Sequence, residues 1–229
     1  MTNEILLVLN LVTVYLMTLI FYRLYGKRGL IAWNTLATVC ANIEVMILVN
    51  AFGMEQTLGN ILFSSTFLTT DILSENHSKK DANVAVKTGI LASVAVIIIT
   101  RFWLLFTPSE NDFVSDAIKT VFSNTPRIMF AGLFVYAIVQ LFDVWFYHKI
   151  WKFTEEKSGD KKKFLWLRNN LATLVSQLIN AVLFNVVAFW GVYDTSTLIM
   201  IIISTYAIYV VTSLLDTPVV YLARKIKRD

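Results

Sequence analysis

The chain is predicted to be an all-α, polytopic membrane helical bundle of about seven spans, one of them short or broken, with the N-terminus outside and the C-terminus in the cytoplasm. Three observations predict this fold. Of 229 residues, 56% are hydrophobic and only 16% charged, against roughly 25% charged in a soluble domain. The mean hydropathy is +0.63, and the apolar residues come in runs of ~20, the length that crosses a bilayer, rather than in amphipathic stripes. The basic residues gather in alternate loops, which is the pattern that orients membrane proteins. Residues 1–229 therefore read as one integral membrane domain.

The apolar runs fall at 5–21, 30–52, 57–73, 84–106, 127–147, 167–190 and 198–223. The first has no basic leader and no small-residue cleavage site, so it reads as a retained span and not a signal peptide. The third is the least suited to lipid: it holds Gly59, Asn60, Ser64, Ser65, Thr66, Thr69 and Thr70, with Asp71 near its end. Two readings fit it. It is either a broken helix whose exposed backbone coordinates a substrate, or a helix buried by its neighbours with hydroxyls bonding back to its own carbonyls.

The fourth run carries Arg101 and the fifth opens at Arg127; both can snorkel to the interface. Runs five and six share a pattern, Gln140-Leu-Phe-Asp143 and Gln177-Leu-Ile-Asn180. Spacing of three sets each pair on one helical face. On oppositely directed spans this is the trace of an inverted repeat, or else interhelical glue. The seventh run contains Asp216-Thr217-Pro218. The proline removes an amide donor and clashes with the Leu214 carbonyl, so a kink is expected, and Asp216 either lines a cavity or bonds a neighbouring helix.

Loops alternate in charge. Arg23, Lys27 and Arg28 follow the first run, Lys79, Lys80 and Lys87 the third, Lys149 through Arg168 the fifth, and Arg224 through Arg228 the last. Loops 53–56 and 191–196 have no Lys or Arg, and 107–126 has only Lys119. The basic pI near 9.1 is thus a topology signal and not a nucleic-acid surface. Within 107–126, Val114, Ala117, Ile118, Val121 and Phe122 share a helical face, with Ser109 or Ser115 as cap, giving a short helix in the outer interface. Trp103, Trp151, Trp166 and Arg168 read as interfacial anchors.

Glu44, Asp71, Asp143 and Asp216 all lie within apolar runs. A charge at membrane depth costs roughly 2.5–3.5 kcal/mol on insertion scales, so four of them on different spans point to a polar cavity between helices. Cys40 is the only cysteine, and His77 and His148 fall in separate polar loops, which leaves no ligand set for a metal. No Walker loop, paired-histidine motif or nucleophile elbow is present, so no enzyme and no cofactor are expected.

Several motifs agree in order and spacing with one family. They are residues 67–75 (FLTTDILSE), Arg127 followed by Tyr136, Gln140 and Asp143 (Y-x-x-x-Q-x-x-D-V), residues 166–191 (WLRNNLATLVSQLINAVLFNVVAFWG) and residues 216–221 (DTPVVY). From about Asn42 to Tyr221 the chain resembles the queuosine precursor transporters, importers similar to vitamin-uptake and energy-coupling-factor S-component proteins.

The resemblance implies uptake of 7-deazaguanine compounds, such as the cyano or aminomethyl precursors or queuine, for tRNA modification across a bacterial cytoplasmic membrane. The substrate would be a planar heterocycle, whose N–H edge a carboxylate can accept in bidentate fashion. Asp71 and Asp143 are the candidates for that edge, and Gln140, Gln177 and Arg127 for the carbonyl. Asn42, Asn180 and Asp216 complete the expected binding set.

The chain departs from the family where Asn180 and Tyr209 replace a frequent Asp and Lys. Joint loss of an acid and a base is expected if the two were paired, because losing one alone strands a buried charge. Asn76-His77 in place of Tyr-Gly, and Ala172 in place of Ser, bear on which precursor is preferred.

The alternative function is a substrate-binding subunit for a vitamin or nucleobase that needs an ATP-driven partner. Such subunits present small residues on an early helix for docking, and the first run (LLVLNLVTVYLMTLIF) has no Ala or Gly. Proton or sodium coupling could use Glu44 or Asp216, whereas facilitated diffusion needs neither. The bilayer is the expected surrounding, no nucleic-acid partner is expected, and a homodimer is compatible with the chain.

Overall fold

Gly26, at φ +60° and ψ −141°, reverses the chain inside the first helix, α1 (Asn3–Glu44). On a straight helix Phe21 and Trp33 would stand ~18 Å apart; here their rings meet at 5.3 Å. The arms 3–25 and 27–44 therefore lie side by side. The reversal needs a left-handed residue, and glycine adopts that conformation without steric cost.

The computed structural model describes residues 2–123 and 126–226, and the side chains of 123 and 126–129 lie outside the described residues. After α1 come strands β1 (Leu48–Ala51) and β2 (Met54–Thr57), then helices α2 (Gly59–Asn76), α3 (Lys79–Trp103), α4 (Ser115–Ser123), α5 (Pro126–Ser158), α6 (Leu165–Phe189) and α7 (Thr195–Lys225). Among the described residues, α1, α3, α5, α6 and α7 are long and apolar enough to cross a membrane. Their outward faces expose Leu16, Leu91, Ile98, Phe134, Leu178 and Ile203, while the interior holds many Ser, Thr and Asn side chains. Apolar outside and polar inside is the distribution of a multi-pass membrane bundle.

The second apolar run is only partly helical. Its helix stops at Glu44, and residues 48–51 pair antiparallel with 54–57, Leu48 opposite Thr57 and Ala51 opposite Met54. Phe52 and Gly53 both have positive φ (54° and 73°), as a two-residue type I′ hairpin turn requires. A short apolar run fits strand or helix equally well by pattern, which is why the sequence extends this span too far. The N-terminus is tied to the hairpin, because Asn3 donates to the Asn50 carbonyl and Glu4 accepts from the Phe52 amide. These contacts define a hairpin end of the bundle. The opposite, basic end carries Lys27, whose ammonium meets Asp81 at 3.0 Å.

The third run forms one unbroken helix, α2, with residues 59–74 buried apart from Phe63. Its hydroxyls bond back along the helix: Ser64 to Ile61, Ser65 to Leu62, Thr69 to Ser65 and Thr70 to Phe67. The short segment is therefore a sheltered helix and not a broken one. The amphipathic α4 is present where the sequence places it, but Asp112, not a serine, accepts from the Val114 and Ser115 amides at its start. His148 stands inside α5, stacked on Trp151, and not in a loop.

α1, α3 and α5 are pinned by Asn34, which donates to the Ala85 carbonyl and to the Tyr136 hydroxyl at 3.0 and 2.9 Å. Gly89 makes room for this junction; a Cβ there would stand 2.8 Å from the Tyr136 oxygen. The Tyr15 hydroxyl bonds the Thr212 carbonyl and ties α1 to α7.

Candidate functional site

α2 is the axis of the polar interior, and each of its turns presents a partner to a different helix. Near the hairpin end, Asn60 accepts from the Tyr209 hydroxyl (3.2 Å), which itself accepts from the Asn180 amide (3.0 Å). One and a half turns on, Gln140 of α5 donates to Thr66 at 2.5 Å and accepts from Thr70 at 3.3 Å. Next, Asp71 accepts from Thr173 of α6 at 3.1 Å. The series ends at Glu75, which receives Arg168, Tyr147 and Arg224. From Asn60 to Glu75 this column is ~22 Å long at a helical rise of 1.5 Å per residue.

Three of the four intramembrane acids converge. Asp71, Asp143 and Asp216 are each no more than 2% exposed. The charges of Asp143 and Asp216 both act on Asp71, and Asp143 acts on Asp216. Asp216 accepts from the Asn169 amide at 2.8 Å, which binds α7 to α6. α7 stays helical through Pro218. Asp143 differs from the other two: it lies within range of Ser176, but neither carboxyl oxygen has a hydrogen-bond partner. Gln177, fully buried, is also unpartnered at both ends of its amide. Thr173, Ser176, Gln177 and Asn180 share one face of α6 by spacing, so these free groups flank the acidic cluster.

Glu44 stands apart. It ends the second arm of α1 at the hairpin end, whereas the charges that act on Asp71 are those of Asp143, Asp216 and Glu75. Of the four acids from which the sequence infers a polar cavity, three thus gather in one buried cluster and the fourth does not. Arg101 is exposed, in keeping with snorkelling. The side chain of Arg127 lies outside the described residues. Asn42 sits away from the acids; its amide donates to the Thr38 carbonyl at 2.8 Å and reaches Ser93 at 3.4 Å. The parallel motifs of α5 and α6 do not bond each other: Gln140 faces α2, Asn180 faces α7, and Gln177 is free.

Space is distributed unevenly along the column. At the hairpin end a void of about 30 Å³ lies among Asn42, Gly59, Phe63, Gly132, Asn180 and Tyr209. That is room for little more than a water molecule. At the basic end a vestibule of about 500 Å³ opens beside Tyr22, Asn76, Trp151, Lys161, Lys162 and Arg224. Between it and the acids stands the Glu75 network. The Arg168 side chain has no solvent exposure, bonds both Glu75 oxygens and lies 4.2 Å over the Trp151 ring; Arg224 reaches the same carboxylate from α7. Among the described residues, the acidic centre thus lies between a narrow void at one end and the Glu75 network at the other.

Arg168 is the member of this buried network that sequence reasoning missed, since it reads there as an interfacial anchor. Its partner Glu75 stands at the end of the same motif as Asp71, four residues on and so on the same helical face. That spacing was the available signal. Trp103 and Trp166, both exposed, remain compatible with anchoring.

Comparison with known proteins adds a lineage to this geometry. Residues 57–223 match the family model described as "Putative vitamin uptake transporter". The chain is 36% identical over 211 residues, 92% of its own length and 90% of the relative's, to the "Probable queuosine precursor transporter" of Bacillus subtilis (strain 168). No solved structure matches.

Proposed function

Since the chain belongs to the vitamin uptake transporter family, we propose that it imports queuosine precursors for tRNA modification, carrying 7-deazaguanine compounds through the column along α2. The observation that carries this reading is the unmet hydrogen-bonding capacity at the core. Asp143 and Gln177 are buried without partners, and leaving such groups unpaired costs roughly 1–3 kcal/mol each. A ligand with an N–H edge and an adjacent carbonyl would satisfy both: the Asp143 carboxylate accepts the edge and the Gln177 amide donates to the carbonyl.

Asp71, Gln140 and Asp216 would frame that position, with Asn42 and Asn180 lining the approach from the hairpin end. The bundle is then in its occluded form, and the substrate enters and leaves by alternate opening of the hairpin end and the Glu75 network.

The two arms of α1, with α2, α3, α5, α6 and α7, make seven crossings. The Lys- and Arg-rich connections then face the cytoplasm, with the N-terminus outside, in a bacterial cytoplasmic membrane. Uptake of radiolabelled cyano- or aminomethyl-7-deazaguanine by cells unable to make either, read as restored tRNA queuosine, tests the function. Failure of every precursor to restore the modification refutes it.

A further inference from the structure

The charge balance of the bundle centre leads past substrate identity to the driving force, and this step rests on the transport reading above. Asp71, Asp143 and Asp216 come from three helices and are essentially without solvent contact. Among the described residues none of them has a Lys, Arg or His ion-pair partner; Arg168 and Arg224, toward the basic end, are committed to Glu75.

Among the described residues, the other elements packed around the cluster bring no positive charge to it. α1 contributes Tyr15, which faces Asp216, and α5 contributes Tyr147, which faces Asp71. α6 contributes the amides and hydroxyls of Asn169, Thr173, Ser176 and Gln177. On α3, Lys79 acts on His148, Asp81 holds Lys27, and Lys80, Lys87 and Arg101 are exposed. Neighbouring carboxylates in a low-dielectric interior without counter-ions cannot all stay ionised. Independently of charge, both Asp143 oxygens and both ends of the buried Gln177 amide have hydrogen-bonding capacity that no protein group meets.

We propose that Asp71, Asp143 and Asp216 form a proton-loading site that powers import. In the occluded bundle most of the three carboxyls carry protons, with at most a single one left ionised. Opening toward either side hydrates the cluster and lets it exchange protons with that compartment. Substrate and protons then cross together, and an inward proton gradient drives accumulation. Sodium is the competing ion, and it is excluded or supported by the same measurement.

Two readouts on the full chain in phospholipid vesicles test this. Infrared spectra at neutral pH show protonated-carboxyl absorption that shrinks in Asp71→Asn, Asp143→Asn or Asp216→Asn; absence of that absorption in the unaltered protein overturns the proposal without involving any substrate. With trapped pyranine and cyano-7-deazaguanine as the probe, an inside-alkaline gradient raises uptake several-fold above equilibrium, the lumen acidifies with substrate entry, and a protonophore abolishes the accumulation. Uptake indifferent to the pH gradient, or following a sodium gradient, overturns it. So does a proton-to-substrate ratio unchanged in all three variants, a ratio that holds its meaning whatever their residual rate. Protonated carboxyls together with no uptake or binding of any 7-deazaguanine would instead defeat the substrate reading and leave the proton site standing.

Discussion

The Asn180 side-chain amide donates a 3.0 Å hydrogen bond to the Tyr209 hydroxyl, and so joins α6 to α7 at the wall of the small void. The resemblance drawn from the sequence implies an acid and a base at these two positions, and the contact fits their joint replacement. A neutral donor–acceptor pair replaces an ion pair with neither member stranded. Tyr209→Phe leaves the Asn180 donor and the Asn60 acceptor unpaired and is expected to destabilise by about 1–3 kcal/mol. Asn180→Asp combined with Tyr209→Lys should be more stable than the two single changes predict by addition. Melting of the four proteins in detergent checks this, and strict additivity would show that the sites are uncoupled.

Asp143→Ala separates function from stability. Both carboxyl oxygens already lack partners, so their removal strands nothing. Uptake of labelled precursor is expected to fall at least ~10-fold, the equivalent of one lost charge-assisted hydrogen bond, while the melting temperature holds or rises. A melting temperature lowered in step with uptake would assign Asp143 a structural role.

Arg168→Ala is expected to be the most destabilising of the charge removals, by about 3 kcal/mol, since it removes the fully buried guanidinium that spans both Glu75 oxygens and leaves the carboxylate to the part-exposed Arg224 and to Tyr147. Arg224→Ala should cost less. Its side chain is 23% exposed, and Arg168 would still hold the carboxylate. Arg168→Lys recovers only part of the loss, because an ammonium cannot span both Glu75 oxygens as the guanidinium does. Denaturation in detergent ranks the three.

Gly89→Ala probes the α1–α3–α5 junction. The new methyl would press on Tyr136 Oη and on Thr38 Oγ1, at 2.8 and 2.9 Å. Overpacking of a buried site costs about 1–3 kcal/mol. Pairing the change with Tyr136→Phe should recover part of it, which the same melts would reveal.

The sequence made the membrane bundle legible because bilayer thickness imposes run length and loop charge, and both can be read without tertiary information. It placed Asp71, Asp143 and Asp216 on separate spans and marked Gln140 and Gln177. Two things were not legible. The hairpin hid in an apolar run, as 48–51 satisfies strand and helix alike and only the positive φ of Phe52 and Gly53 decides between them. Arg168 appeared interfacial because it follows a basic loop, whereas its burial depends on Glu75 and Arg224 arriving from α2 and α7. Depth along a helix can be counted in sequence, but facing cannot.

The buried hydroxyl and carboxyl surface of α2 also governs how this protein must be made. The segment is too polar to partition into lipid alone; α1, its most extensive neighbour, is made first, but α5, α6 and α7, which partner Thr66, Asp71 and Asn60, leave the ribosome much later. During synthesis α2 must wait at the insertion channel or at the bilayer surface until its companions arrive. A chain cut short before α7 would then present Asn60 and Asp71 to hydrocarbon and fall to membrane quality control.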